Sequence, residues 1–304
     1  MAKSTFQLSD GTNVTTKAPA DEEQGQELED FSLKAFVDDL REDLASNKIT
    51  LPTLPDVAME ALLIVNDVDS SASDLVKVIH KDTAITARLI RYANSPLYHG
   101  LQPITSIKPA ITRIGFDRVK SAIYTVSMKE VFKTTYIPIE QRMKALWAHS
   151  VKVGTYGATL AKQYTSLDPD IALVAGLIHD IGKIPILIKA CEYQELTENP
   201  EYLDQLLTKL HSKLGGVILK LWKFDPLMIM VATEHENIQR DPGNAPVDYA
   251  DVIQVANIMS HEKTEHPLAK VDRDKIAAFE RLKTNEADQE TTKADAEEMS
   301  RIFR

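Results

Sequence analysis

The chain has 304 residues, of which 43% are hydrophobic, and its formal net charge is −10. This is enough apolar material to bury a sizeable core in one large domain or two modest ones, while the acidic balance argues against broad electrostatic binding to nucleic acid or to an anionic membrane. A single cysteine, Cys191, excludes an intramolecular disulfide and favours a reducing cytoplasm. We expect no apolar run of the ~18 residues that span a bilayer, and the N-terminal residues lack the apolar core of a signal peptide.

Residues 1–30 are polar and contain few large apolar side chains, which predicts a flexible N-terminal tail. Apolar residues at helical spacing then predict a first helical lobe over residues 31–136. Asp82 is placed to cap one helix of this lobe, and Gly115 lies between two others. The expected helices cover about 31–44, 57–65, 73–79, 83–93, 104–114 and 116–132.

Helical periodicity also predicts a second lobe over residues 137–266. Its expected helices cover 139–164, 169–179, 184–191, 206–222, 226–235 and 248–261, and residues 192–204 are expected to form a solvated connection. Residues 267–304 are mostly charged and predict a C-terminal helix with a tail. Because the chain has only 11 glycines and few alternating apolar runs, the predicted fold class is all-α.

The most informative motif is GLIHDIGK, residues 176–183, in which His179 and Asp180 follow an apolar stretch. Imidazole is a ligand for Zn, Fe, Mn and Ni, and carboxylate suits harder ions such as Mg and Mn. Buried polar groups without partners are costly, and a metal ion would satisfy both side chains at once. Lys183 has three possible roles, namely an ion pair with Asp180, a contact to a substrate phosphate, or replacement of the metal's charge.

Further candidate ligands are scattered along the second lobe, and the helices of a bundle can bring such residues together. They are His149, His211, His235 and Asn257. Each histidine has an ordinary alternative: His149 as a core histidine bonded to a carbonyl, His211 as a capping or packing residue, and His235 as an imidazolium near a helix C-terminus. Asp180 could equally cap the next helix.

Other polar residues are predicted to take no part in metal binding. His261 and His266 lie in a polar stretch and are expected to be solvated. Asp251 is six positions before Asn257 and is expected on another helix face.

An ordered series of segments carries a family resemblance. The segments are LPTLP (51–55), IHKDTAITARLI (79–90), ANSPLY (93–98), ITSI (104–107), AITRIG (110–115), GLIHD (176–180) and LWKF (221–224). Together they resemble the HDOD domain over about residues 51–259. The HD motif is also similar to metal-dependent phosphohydrolases of the HD superfamily and to the HD-GYP cyclic-dinucleotide phosphodiesterases.

The resemblance implies an HDOD-type two-lobe helical bundle with an HD-like second lobe. It also implies a site for a divalent metal, one of Fe, Mn, Zn, Ni or Mg, held by His149, His179 and Asp180, with His211 and His235 as further ligands. Two departures bear on activity. Asn257 stands where active HD enzymes carry an Asp, and an amide oxygen brings no charge; the Gly-Tyr-Pro element of the HD-GYP branch is absent after His235.

These departures predict a non-catalytic signalling module of bacterial-type signal transduction, binding a partner protein or a nucleotide-like small ligand. The alternative is a metal-dependent phosphohydrolase. The resemblance implies a nucleotide or a cyclic dinucleotide as its substrate class. In that case the metal would activate water, and Lys183 would stabilise developing negative charge.

Overall fold

The fold is that of a computed structural model, which describes residues 5–7, 13–15, 33–46, 48, 54–67, 69–98, 100, 102–284 and 286–303. Near the N-terminus, strands β1 (Thr5–Gln7) and β2 (Asn13–Thr15) pair antiparallel, with Phe6 opposite Val14. They belong to a unit of their own, Met1–Leu33. The rest of the predicted tail, residues 1–30, lies outside the described residues, and so do residues 51–53 of the LPTLP segment.

Helices build the other unit, Lys34–Arg304, as the sequence predicts. Asp82 caps its helix by accepting hydrogen bonds from the backbone N–H groups of Ala84 and Ile85, and Gly115 joins two helices with φ of 85°. Both placements confirm the sequence interpretation. The first six helices are α1 (Leu33–Ala45), α2 (Asp56–Asn66), α3 (Ala72–Ile79), α4 (Thr83–Ala93), α5 (Ile107–Ile114) and α6 (Phe116–Val131).

The following helices are α7 (Glu140–Tyr164), α8 (Pro169–Ile178), α9 (Lys183–Ala190), α10 (Gln194–Glu198), α11 (Pro200–Leu221), α12 (Pro226–Glu234), α13 (Tyr249–Ser260), α14 (Ala277–Leu282) and α15 (Glu286–Ser300). The predicted solvated connection over 192–204 is wrong, because α10 and the start of α11 occupy it. The Asn199 side chain accepts from the Tyr202 N–H and Pro200 follows it, which is a strong helix start. Leu196 and Leu203 are buried there.

Two close helix contacts shape the second half of the chain. A Cβ on Gly176 would lie 2.4 Å from the Gly154 Cα, so α7 and α8 cross with their backbones in contact. A Cβ on Gly182 would lie 2.0 Å from the His211 carbonyl oxygen, so α11 presses against the turn between α8 and α9. Only glycine permits these approaches, which bring α7 and α11 to the two sides of the α8–α9 turn.

The N-terminal end of α8 is tied to the first helices through a buried carboxylate. Asp170 is 1% exposed and accepts hydrogen bonds from the hydroxyls of Tyr92 and Tyr98, the second at 2.6 Å. The Arg118 guanidinium lies 3.8 Å away. The division of this unit into lobes at residues 136 and 137 stays a prediction.

One segment, Pro169–Ala190, reaches the length and hydropathy of a membrane-spanning helix, with a mean hydropathy of 1.8. The expectation that no such run exists was therefore wrong for α8 and α9. The 18-residue window of this segment that has this hydropathy is 83% buried inside the protein. The segment is interrupted by the turn at residues 179–182, as in the core of a folded domain.

Candidate metal centre

The HD motif lies in the tight turn between α8 and α9. His179 is fully buried and Asp180 is 1% exposed. Lys183, the first residue of α9, places its Nζ 2.6 Å from Asp180 Oδ2. The ion pair expected for Lys183 is therefore formed, and its other two possible roles remain open.

A first group of potential ligands joins α7 to this turn. His149 Nε2 lies 3.2 Å from His179 Nε2 and 3.6 Å from Asp180 Oδ2. His179 Nε2 lies 3.4 Å from the same carboxylate oxygen. All three ligand atoms fall within 4.8 Å of one another, a spacing that a metal ion can bridge.

A second group shares Asp180 and adds α11 and the end of α12. The Nε2 atoms of His211 and His235 are 3.2 Å apart, and each lies 3.4 Å from Asp180 Oδ1. Glu236 completes the group, with its Oε2 3.7 Å from His211 Nε2. Sequence reasoning overlooked Glu236, although a carboxylate directly after the candidate ligand His235 was the available signal.

Backbone carbonyls determine which nitrogen of three rings carries the proton. His179 Nδ1 lies 2.7 Å from the Gly176 oxygen, His211 Nδ1 lies 2.8 Å from the Leu207 oxygen, and His235 Nδ1 lies 3.1 Å from the Ala232 oxygen. A carbonyl only accepts, so each Nδ1 is the donor and each neutral ring turns an Nε2 lone pair toward Asp180. Facing lone pairs repel one another, and a cation between them would turn that repulsion into attraction.

Burial favours the neutral form of His149, His179 and His211. It lowers the pKa of His179 and His211, and it lowers the pKa of His149 to about 4, against the opposing charge of Asp180. Burial alone would raise the pKa of Asp180, but Lys183 and the neighbouring His179, His235 and His211 together outweigh it and hold that pKa well below its usual range. The centre therefore combines neutral imidazoles with an ionised carboxylate, which are the protonation states that metal binding needs.

One buried oxygen of the centre, Asp180 Oδ1, accepts no hydrogen bond from any described residue, and neither does the buried Oδ1 of Asn257 on α13. The backbone of Asn257 connects to His149 through Ser260: the Ser260 hydroxyl donates to the Asn257 backbone carbonyl at 2.7 Å and lies 3.4 Å from His149 Nδ1. Asp251 points elsewhere and pairs with Arg240 at 2.6 Å. Unpartnered buried acceptors are costly, and a cation is the partner that both would accept.

His261 and His266 are half-buried and packed together, whereas the sequence predicts solvated side chains. Their rings stack 3.7 Å apart, and the His261 ring lies 4.8 Å from that of His149. Burial lowers the pKa of His261 to about 3. The chain turns back after α13 because the His266 side chain accepts from the Leu268 N–H at the start of a short 3-10 helix, Pro267–Lys270. In the sequence, His261 and His266 are five residues apart, and this spacing does not predict the turn.

Comparison with known proteins supports the architecture. Residues 51–238, more than half of the chain, match the HDOD domain family. A crystal structure from Shewanella amazonensis SB2B, provisionally named a metal-dependent phosphohydrolase, is 29% identical, with a TM-score of 0.72 over 86% of this chain and 98% of that one. An HDOD domain protein of unknown function from Geobacter sulfurreducens is 23% identical, with a TM-score of 0.58 over 88% and 99% of the two chains. No curated protein matches the sequence. The all-α, HDOD-type fold prediction is confirmed.

The residues around Asp180 fit a divalent metal. Their donor set of imidazole nitrogens and carboxylate oxygens suits Fe, Mn, Zn or Ni better than Mg, which prefers oxygen ligands and water. Because the two groups share Asp180, they have donors for one or for two ions. The unpartnered Oδ1 of Asp180 faces the second group, whereas its Oδ2 faces the first.

Proposed function

Because this chain belongs to the HDOD domain family and gathers two sets of metal-ligand side chains around one aspartate, we propose that it is an HDOD signalling module whose HD-like lobe holds a divalent metal centre. The proposed ligands are His149, His179, Asp180, His211, His235 and Glu236, with Asn257 beside them. In this proposal the bound metal completes the core of the HD-like lobe, and the partner is a signalling protein or a nucleotide-like small ligand in the cytoplasm.

One observation carries the metal assignment. The Nδ1 protons of His179, His211 and His235 are committed to backbone carbonyls, so their Nε2 lone pairs converge on Asp180. The Ser212 hydroxyl lies 3.1 Å from the Nε2 of His211. Even so, protein interiors rarely turn several imidazole lone pairs and a carboxylate oxygen toward one point without a cation.

Three features support a regulatory role without turnover. Asn257 is neutral where a further carboxylate would strengthen the metal site. Lys183 holds Asp180 Oδ2 at 2.6 Å, so one oxygen of the shared ligand already has a cationic partner. In addition, His179, His211 and His235 are fully buried, which limits access for a substrate.

The second candidate function is hydrolysis of a phosphate ester, with a nucleotide or cyclic dinucleotide as the substrate class. The side chains of His149, Lys183 and Glu236 are 20%, 20% and 23% exposed, so solvent reaches the cluster through them. A bound divalent ion would supply a water of lowered pKa and polarise a phosphoryl oxygen. Lys183 would then hold a phosphate as a point charge. The 29% identical structure, provisionally named a metal-dependent phosphohydrolase, favours keeping this candidate.

Elemental analysis of tag-free protein tests the proposal. We expect near-stoichiometric Fe, Mn, Zn or Ni in the wild type, none in His179→Ala, and wild-type content in His80→Ala, which removes an exposed histidine. A folded wild type that takes up no divalent metal would contradict the metal centre.

Hydrolysis assays with the metal-loaded protein separate the two functions. Bis(p-nitrophenyl) phosphate and cyclic dinucleotides should remain intact if the module only signals. Turnover that disappears in His179→Ala and falls in Lys183→Met would replace the signalling proposal with the hydrolase.

A further inference from the structure

A cavity of about 330 Å³ lies between α6 and the helices of the HD-like lobe, apart from the metal centre. We call it the seam pocket. Its size is within the range of sites for small ligands, and such sites are frequent where two structural layers meet. The residues that matter below are Lys120, Ser121, Tyr124, Val174, Lys223 and Phe224.

The walls of the seam pocket are aromatic. Tyr124 on α6 and Phe224, after α11, face each other with ring centroids 4.8 Å apart and planes inclined by 40°. Val174 and Met228 add apolar surface and are nearly fully buried. The Tyr124 hydroxyl has no hydrogen-bond partner among the described residues, although burial raises its pKa. A planar ring would contact both aromatic walls, with a donor at hand for a polar substituent.

Two ammonium groups belong to the same pocket, one from each side. Lys120 comes from α6 and Lys223 from the turn between α11 and α12. Both are exposed, and the lining carries one carboxylate, Asp225, which caps α12 through the Leu227 N–H. The cationic groups therefore outnumber the anionic one at the rim.

Lys223 has a backbone conformation that favours glycine, with φ of 57°. The Phe224 N–H bonds to the Leu219 carbonyl at 2.9 Å, which makes Lys223 the left-handed residue that ends α11. Lys263 and Lys283 adopt the same conformation elsewhere, so strain alone does not single out Lys223. The difference is that the Lys223 side chain lines a cavity with aromatic walls.

We propose that the seam pocket binds a planar aromatic anion, such as a nucleoside monophosphate or an aryl carboxylate. The ring packs against the touching rings of Tyr124 and Phe224, and the anionic group meets Lys120 and Lys223. This inference names the class of small ligand in the proposed function. The signalling role of the ligand rests on that proposed function. Binding itself does not, because the seam pocket does not require the metal.

The position of the seam pocket suits an input site. Ile171 and Val174 of α8 line it, and the same helix ends directly before His179 and Asp180. A ligand that shifts α8 relative to α6 would move Asp180 against its neighbours on α7 and α11. Ligand binding and metal binding should therefore influence each other, in both directions.

Fluorescence titration tests the pocket directly. The chain has two tryptophans, and Trp222 lies 6.2 Å from Phe224, so a Trp147→Phe background leaves a reporter beside the pocket. In metal-free protein, adenosine 5′-monophosphate and 1-naphthoate should each give a saturable change. Adenosine, which lacks the charge, and inorganic phosphate, which lacks the ring, should bind roughly fivefold or more weakly. Failure of both aromatic anions to bind would overturn the proposal.

Matched variants locate the site. Lys223→Gly removes one ammonium and relieves the backbone, so it should weaken binding of both probes by roughly fivefold while thermal stability stays equal or rises. Lys283→Gly makes the same change outside the seam pocket and should leave binding unchanged. Ser121→Phe should fill the cavity and abolish binding. Equal effects of the two glycine variants, or full binding by Ser121→Phe, would overturn the assignment.

A last variant separates this inference from the metal centre. Asp180→Asn should keep probe binding in metal-free protein, because Asp180 is not part of the pocket lining. Loss of binding in Asp180→Asn, with the protein folded, would place the anion at the metal centre and overturn the seam pocket. Metal uptake without probe binding would refute the pocket and leave the metal proposal intact.

Discussion

The two ends of α8 each bury an aspartate, and the two carboxylates are partnered very differently. Asp170 accepts hydrogen bonds on both oxygens from the neutral hydroxyls of Tyr92 and Tyr98. Asp180 has one oxygen paired with Lys183, while its other oxygen accepts no hydrogen bond and faces histidine nitrogens at 3.4 Å. The first carboxylate has a complete set of partners, and the second has room for a cation.

The pKa directions of these carboxyls follow from the same difference. Burial raises the pKa of Asp170 because its two hydroxyl donors are uncharged and only partly offset the loss of water. At Asp180 burial acts the same way, but Lys183 and the neighbouring histidines together outweigh it, and the pKa falls well below the usual range. A fully hydrogen-bonded buried carboxylate thus holds helices together, whereas the charged carboxylate of Asp180, with its unpartnered oxygen, is the proposed metal ligand.

Removing the Asp170 carboxylate, which has a complete set of hydrogen-bond partners, should have the largest effect on stability. Asp170→Ala leaves the buried hydroxyls of Tyr92 and Tyr98 without an acceptor, and we expect a loss of about 3 to 5 kcal/mol in the free energy of unfolding. Urea unfolding of metal-free protein measures it. Asp168, two residues earlier, caps the start of α8 and lies 3.5 Å from the half-exposed Arg118, so Asp168→Ala should cost about 1 kcal/mol. Equal losses would show that Asp170 does not tie the helices together.

The second prediction concerns the response to metal. At a free metal concentration of about 100 times Kd, the wild type should gain about 2.7 kcal/mol in the free energy of unfolding. Asp180→Asn should gain almost nothing, because it lowers the charge of the shared ligand. Asp170→Asn should gain as much as the wild type despite a lower starting stability. Thermal unfolding with and without the metal found by elemental analysis provides the comparison, and an equal gain in Asp180→Asn would exclude Asp180 as a ligand.

Much of this contrast could be predicted from sequence on the Asp180 side. The HD pair at the end of an apolar stretch, and histidines on other predicted helices, indicate a shared site because bundle helices face one core. Helix ends with strong caps, such as Asp82, were also predictable because their signals are local. Glycine at 182 gave no sign of its role, since the close approach of α11 depends on how two distant helices pack.

The Asp170 side could not be predicted in the same way. Tyr92 and Tyr98 lie more than 70 positions before Asp170, and no local pattern says that two phenols meet that carboxylate. The same applies to His261 and His266, whose return to the cluster depends on a turn after α13. Long-range polar contacts follow from tertiary packing, which a residue's immediate neighbours in sequence do not encode.

A pH comparison probes the raised pKa of Asp170. Because that pKa is above the unfolded value of 3.8, the stability gained from the protonated group is complete below about pH 3.8 and is lost as the pH rises through the folded pKa. The destabilisation caused by Asp170→Asn should therefore be larger at pH 4 than at pH 7. Urea unfolding of both metal-free proteins at the two pH values measures the difference, and a larger destabilisation at pH 7 would reverse the sign of the inferred shift.

The smallest expected effect tests whether the metal centre can be improved. Asn257 Oδ1 is buried and accepts no hydrogen bond, and its helix reaches His149 through Ser260. Asn257→Asp adds a negative charge of nearly the same shape, so metal affinity should increase roughly threefold to tenfold because ligand charge tunes affinity. The metal-free protein should become less stable, since the new carboxylate lacks a partner. Competition with a chelator of known affinity measures the change. Unchanged affinity would mean that residue 257 lies outside the coordination sphere, and the proposed site would then depend on Asp180 and Glu236 alone for its charge.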